Sequence, residues 1–362
     1  LRLGASRVAC AAATLLLLAL PACGKHTIAP RSSSRPRTYA MGFSNFPPRF
    51  TVESVLANWA VWSLRADEAI FHVSPDWNDL IAGVDPDTIV ARLHGPMAAL
   101  DRSRGMAISV TIDLTDGLDR SAEAPELRAA GRSLTEPVIQ TLARRFTLAV
   151  WRQIHPEHLA LAAEVNLIRA AAPPALYAAV KQTANDAASD LLAAGCTATL
   201  SVSIQLEVVW GRLPPASGYQ GLAVDLADFP FMREVPLSSY PYLGGYDTPE
   251  DIPFDYYSRV AAEAGKPVRV VEGGWASESV SGIASSTAEQ ARYVRRQAEL
   301  LDAAGANAVF QLEFADLDVS SYPPPVPANL PLFVTIGLVD TGLVPKPALA
   351  AWDSVFARPR SR

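Results

Sequence analysis

The chain has 362 residues, 49% of them hydrophobic and 19% charged, and carries a formal net charge of −6 at pH 7. That balance supports a large buried core and excludes a disordered chain. No basic run is interleaved with aromatic residues, so a nucleic-acid surface is excluded as well.

From the N-terminus, residues 1–22 read as a lipoprotein signal peptide. Arg2 and Arg7 open it, and VACAAATLLLLALPA (8–22) is apolar but too short and too weakly flanked for a membrane span. LPAC (20–23) resembles the bacterial lipobox. The resemblance implies a lipid on Cys23 and a place in the bacterial cell envelope, anchored to a membrane and facing the periplasm or the cell surface. Residues 23–38, rich in Ser, Pro and Arg, read as a flexible tether. Cys10 would leave with the signal and Cys196 stands alone, so no disulfide is expected. The folded domain is expected over 39–362.

Within that domain, short apolar runs alternate with longer stretches of helical spacing. Candidate strands occupy 38–43, 68–74, 105–114, 158–165, 198–206, 234–240, 267–273 and 308–314. Helices are expected over 51–65, 86–102, 135–154, 174–194, 248–264 and 286–304. The stretch 174–194 opens on Pro174 and is closed by Gly195, while Ser286 with Glu289 forms a capping-box pattern. Eight strands with interleaved helices predict an α/β fold, a single (β/α)8 TIM barrel. An open doubly wound sheet is disfavoured, because MGFSNFPPRF (41–50) holds one glycine and two prolines where a phosphate loop would lie.

Chemistry in such a barrel gathers at the C-terminal ends of the strands. The polar residues that end apolar runs are Asp113, Glu164, Tyr240, Glu272 and Glu313, and Trp77 and Trp275 lie just beyond strands two and seven. Gln205 and Glu207 alternate along strand five. Strands four and seven face each other across a barrel, so Glu164 and Glu272 can meet over a cleft. Retaining glycoside hydrolysis needs two carboxyl groups about 5 to 5.5 Å apart, one protonated as the acid and one ionised as the nucleophile. Gly273 and Gly274 would let backbone approach a ligand, and Trp275 would offer a flat face to a sugar. Trp77, Asp113, Asn166, Gln205 and Glu313 are further candidate sugar contacts by position. The plainer alternative makes each carboxylate a barrel-mouth ion pair and each aromatic a core residue. The five histidines show no metal-ligand spacing, and neither a metal nor an organic cofactor is expected.

Four segments then carry a resemblance. HLALAAEVN (158–166), LSSYPYLGG (237–245), VVEGGWASES (270–279) and GLVDTGLVPKPALAAW (337–352) together resemble the retaining glycoside hydrolases of clan A. The run over about 39–356 is most similar to endo-β-1,4-galactanases and their bacterial lipoprotein relatives. The resemblance implies Glu164 as acid/base, Glu272 as nucleophile, Tyr240 in contact with that nucleophile, a β-linked, galactan-like carbohydrate as substrate, and a monomer. Two departures stand out. Ala163 occupies the place where the clan carries Asn, although Asn166 falls on the same side as Glu164 if the strand continues. Strand eight ends on Glu313 and Phe314 in place of the usual tryptophan. These departures keep two alternatives open: a catalytically inactive barrel lipoprotein that binds carbohydrate or serves as an envelope scaffold, and a different enzyme using Asp113, Glu164 and Glu313 around a divalent ion.

Overall fold

The structure, a computed structural model, describes residues 35–322 and 326–361. The signal peptide and Cys23 lie outside the described residues. No helix among the described residues is long and apolar enough to cross a membrane.

Eight parallel strands form the centre. They are β1 (Ala40–Ser44), β2 (Glu68–Val73), β3 (Ala107–Ile112), β4 (His158–Ala160), β5 in two halves (Thr199–Ser201 and Ile204–Gln205), β6 (Val235–Ser239), β7 (Val268–Gly273) and β8 (Ala308–Gln311). The sheet runs from the first half of β5 through β4, β3, β2, β1, β8, β7 and β6 to the second half of β5. Only Val202 and Ser203 separate its two edges, so the sheet closes on itself as a (β/α)8 barrel.

The helices that follow the strands start where turn chemistry directs. Pro86, Pro137, Pro174 and Pro347 each occupy a first helical position, where the missing N–H has no partner to lose. Ser286 caps Thr287–Ala304, its hydroxyl accepting from the Glu289 N–H at 3.2 Å and donating to the Glu289 carboxylate at 2.8 Å. The helix expected over 86–102 is two helices, Pro86–Leu93 and Gly95–Ser103, since Gly95-Pro96 breaks the run. The one expected over 248–264 shortens to Ser258–Ala264 for the same reason, with Pro253 in its middle.

The expected tether needs correction at its end. Arg37 is buried, pairs with Asp67 at 2.7 Å and donates its N–H to the Pro359 carbonyl at 2.9 Å. The Thr38 hydroxyl donates to the Ala306 carbonyl at 3.0 Å. The domain therefore begins before residue 39.

Strand alternation divides the core. Outward residues such as Met41, Phe43, Ile108, Val110 and Val270 pack beneath the helices, while Ala40, Ile70, Val271, Ala308 and Phe310 fill the barrel interior. A Cβ on Gly42 would collide with the Glu68 carbonyl oxygen and the Phe310 ring, so only glycine lets β1 pass there. The strand starts carry a polar plug. Arg269 donates to Glu68 at 2.7 Å and to Ser109 at 2.9 Å, and lies 3.1 Å from His158, which itself meets Glu234 at 2.9 Å.

Candidate active site

The other end of the barrel gathers the polar strand ends. β7 carries a bulge between Val270 and Glu272. The extra residue breaks the alternation: Val271 packs in the barrel interior, yet Glu272 also turns inward. There the Tyr240 hydroxyl donates to Glu272 Oε1 at 2.7 Å, and His72 Nδ1 lies 3.7 Å from Oε2.

Glu164 reaches the same mouth by another route. β4 ends at Ala160, and Glu164 is the N-cap of a short helix, Val165–Ala171, with φ 46° and ψ 46°. A left-handed backbone costs a non-glycine residue of order 1–3 kcal/mol and persists only where its surroundings hold it. The holding contacts come from the link between the two halves of β5: the Glu164 N–H donates to the Ser203 hydroxyl at 2.8 Å and the Val165 N–H to the Ser203 carbonyl at 3.0 Å.

Between β3 and Glu164 sits Arg120, on a hairpin formed by Thr115–Asp116 and Asp119–Glu123. Its Nη1 donates to both Asp113 oxygens at 2.7 and 2.6 Å, and its Nε donates to Glu164 Oε2 at 2.9 Å. The positive charge between Asp113 and Glu164 is thus a guanidinium, which removes the basis for a divalent ion held by Asp113, Glu164 and Glu313. Among the described residues no group of three metal-ligating side chains comes together.

The environment sets the protonation states. Burial pushes the Glu164 carboxyl above its usual range; Arg120 opposes this and the Glu272 charge adds to it. Burial also raises Glu272, with the Tyr240 hydroxyl and Arg120 pulling it back. Burial drives His72 down to about 4, so its imidazole is neutral. Glu313, two residues past β8, is driven well above the carboxylate range by burial and by the neighbouring Asp316 charge.

The remaining expected contacts lie elsewhere. Trp275 is 1% exposed, packs against Tyr242 and Tyr293, and donates its Nε1–H to the Ser285 hydroxyl at 3.0 Å. Trp77 is fully buried. Neither ring offers a face to a ligand here. Asn166 does not continue a strand beside Glu164: it lies in the helix, donates to the Gln205 carbonyl and accepts from the Gln205 N–H, each at 2.8 Å. Gln205 bonds Glu207 at 2.6 Å and caps Val208 at 2.9 Å. Gly273 and Gly274 leave room for protein and not for ligand, since a Cβ would lie 2.7 Å from the Ser239 carbonyl and 3.1 Å from Ile336.

Three side chains that shape this mouth were not singled out from sequence. His72 was legible, because "EAIFHV" puts it in register with Glu68 and Ile70 on the inner face. Arg120 had a local cue, the Asp116-Gly117 turn that announces a hairpin. Glu207 was noted only for its alternation. It is fully buried, accepts from the Tyr240 N–H at 2.8 Å and the Tyr256 hydroxyl at 2.5 Å, and burial moves it up to about 7. It fixes the backbone that carries Tyr240.

Described residues on either side of 323–325 lie over this mouth. Asp318 pairs with Arg49 at 3.0 Å, Asn329 donates to the Leu118 carbonyl at 2.7 Å, and the Phe333 ring meets Tyr240 edge-on at 5.0 Å. The Glu272 side chain keeps 16% exposure.

Comparison with known proteins places the fold. No protein-family model matches the chain, and no curated protein matches it. Solved structures do. An exo-β-1,4-mannosidase, Op5Man5 from Opitutaceae bacterium strain TAV5, is similar at TM-score 0.64 and 15% identity over 89% of this chain and 61% of that one. GH5_18 from Bifidobacterium longum subsp. longum in complex with Manb1-4GlcNAc is similar at TM-score 0.61 and 16% identity, covering 89% and 80%. Xylanase 10B from Thermotoga maritima is similar at TM-score 0.60 and 13% identity, covering 88% and 95%. The chain spans about three-fifths of the mannosidase and half of a similar β-glucuronidase from an uncultured Clostridium. At these identities the likeness establishes the (β/α)8 barrel.

Proposed function

We propose that the protein is a retaining glycoside hydrolase acting on a β-linked sugar. One observation carries the reading: Glu164, which caps the helix after β4, and Glu272, on β7, lie at one barrel mouth, where Arg120 bonds Glu164 at 2.9 Å and Tyr240 holds Glu272 at 2.7 Å. The similar structures named as mannosidase and xylanase agree with it. In the reaction, Glu272 attacks the anomeric carbon while Glu164 gives its proton to the leaving oxygen, producing a glycosyl–Glu272 ester. Glu164, now ionised, takes a proton from water, and the resulting hydroxide equivalent displaces Glu272. The narrow exposure of Glu272 suits a chain end or a short oligosaccharide. Galactan-like β-linkages are the first to test, on the strength of the sequence resemblance. The lipobox further supports an envelope lipoprotein, to be checked by the mass of the mature N-terminus in wild type and Cys23→Ala.

The Arg120–Glu164 ion pair favours a second reading, an inactive carbohydrate-binding barrel, because a guanidinium at 2.9 Å opposes protonation of the acid. Incubation with 2-deoxy-2-fluoro β-glycosides followed by peptide mass spectrometry separates the two. The hydrolase reading expects label on Glu272 and none in Glu272→Gln. Label on another residue overturns the assignment, and binding without turnover or label supports the inactive barrel.

A further inference from the structure

Trp77, Trp275 and Phe314, the aromatics that end or follow strands two, seven and eight, are all buried. Phe46 is not: it is 37% exposed, in the segment that follows β1. Its ring lies nearly parallel to the His72 imidazole, with the planes 15° apart and the centroids 6.0 Å apart. His72 Nδ1 in turn lies 3.7 Å from Glu272 Oε2, and the His72 side chain is 13% exposed. The two rings thus step outward from the nucleophile, the imidazole beside it and the Phe46 ring one place further toward solvent. Single apolar side chains on a surface need no explanation by themselves. Phe46 differs in how firmly its backbone is held. The Phe46 carbonyl accepts from Nδ2 of the buried Asn58 at 3.1 Å. The Pro47 carbonyl accepts from the Tyr322 hydroxyl at 3.3 Å, and the Pro48 carbonyl from the Asp318 N–H at 2.8 Å. The two prolines fix their own backbone as well. A ring kept near the surface on three successive anchored residues is preorganised, so binding against it costs little ordering entropy.

We propose that Phe46 is a specificity-determining substrate contact, its ring stacking on the second sugar of the glycone, the one linked to the sugar held at Glu272. The inference rests on the glycosidase reading and deepens it, since it makes the substrate an oligosaccharide with at least two sugars on the glycone side. The sugar attacked by Glu272 lies beside His72, so the ring one step beyond His72 meets the next sugar. The contact falls on the glycone side because Phe46 reaches Glu272 through His72, whereas the leaving oxygen must face Glu164. The C–H face of a pyranose is apolar and matches the face of an aromatic ring, while the hydroxyls at its rim stay in water. A monosaccharide glycone leaves the Phe46 ring wet and forgoes this binding energy.

The test uses the full chain with the 4-nitrophenyl β-glycosides of galactose, mannose, glucose and xylose and with those of the corresponding β-1,4-linked disaccharides, read by release of 4-nitrophenol. The quantity that decides is the ratio of kcat/KM on the disaccharide to that on the monosaccharide of the preferred sugar. Wild type is expected to give a ratio of about tenfold or more, because contacts at a remote ring are realised in the transition state. Phe46→Ala and Phe46→Leu, which remove the flat ring, are expected to bring that ratio below about threefold. Phe46→Tyr keeps the ring and is expected to keep the ratio. A wild type that treats disaccharide and monosaccharide alike overturns the proposal. So does an unchanged ratio in a folded Phe46→Ala or Phe46→Leu, since a ring that only packs on His72 would lower both substrates by one factor. A ratio in Phe46→Tyr as low as that in Phe46→Leu overturns it too, because the aromatic face would then not be what the substrate meets. If wild type hydrolyses none of these glycosides and takes no fluorosugar label, the glycosidase reading falls and this inference with it. Cleavage without preference for the disaccharide is a different result, which leaves that reading standing and removes the Phe46 contact alone.

Discussion

Tyr240 shows how one hydroxyl tunes the site. Its O–H donates to the ionised form of Glu272 and so holds that carboxyl below where burial alone would leave it. In Tyr240→Phe the donor is lost and the Glu272 pKa rises. On the proposed mechanism Glu272 must be ionised, so the acid limb of the kcat/KM profile should move to higher pH, with kcat falling about 10- to 100-fold. An unmoved acid limb would mean that the hydroxyl serves packing alone. Glu272 was legible as a strand-end carboxylate, and Glu164 as a carboxylate at the barrel mouth, although it caps a helix and does not end β4. Trp275 and Trp77 were legible only as conspicuous aromatics, and their burial shows why type and position mislead. A tryptophan beside a glycine pair is as well suited to filling the shell between strand and helix as to stacking on a sugar.

At the scale of elements, buried carboxyls tie neighbours together. Asp101, on the helix Gly95–Ser103, accepts from Trp59 Nε1 at 2.9 Å and Asn45 Nδ2 at 3.2 Å, which joins that helix to Val52–Trp62 and to the segment after β1. Burial raises it to about 6. A carboxyl whose folded pKa is raised stabilises the fold below its unfolded pKa and loses that contribution as pH rises. Relative to Asp101→Asn, wild type should therefore lose up to about 3 kcal/mol of stability between about pH 4 and 6. Urea denaturation of the two proteins across that window checks the slope, and parallel curves would show that Asp101 titrates normally. Element boundaries followed prolines wherever the expected helix contained one. The end of β4 gave no comparable cue, because LALAA suits strand and helix equally, and so the switch to a helix at Glu164 escaped the pattern.

The whole barrel depends on what fills its axis. Arg269 is 2% exposed and ties β7 to Glu68 of β2, Ser109 of β3 and His158 of β4, with Glu234 before β6 at 3.8 Å. Arg269→Met should cost about 3–5 kcal/mol, since it removes the buried cation from Glu68 and Glu234 and leaves them only the half-exposed Arg360 at 3.8 Å and His158 at 2.9 Å. The denaturation midpoint reads this loss. Because the plug lies at the far end of the barrel, the folded variant should keep its fluorosugar labelling at Glu272. Loss of labelling at full folding would show that the two ends are coupled.

The sequence by itself determined the eight strands, their order, the glutamates after β4 and on β7 and the tyrosine between them, because alternation and breakers are local properties of the chain. The tertiary structure decided the rest. Arg120 reaches Glu164 across 44 positions of sequence, Lys346 is drawn to Asp316, and Glu313 Oε2 is left without a hydrogen-bond partner among the described residues. Whether a carboxylate is paired, neutral or free depends on which distant groups closure of the barrel brings within about 3 Å. No local pattern encodes that distance.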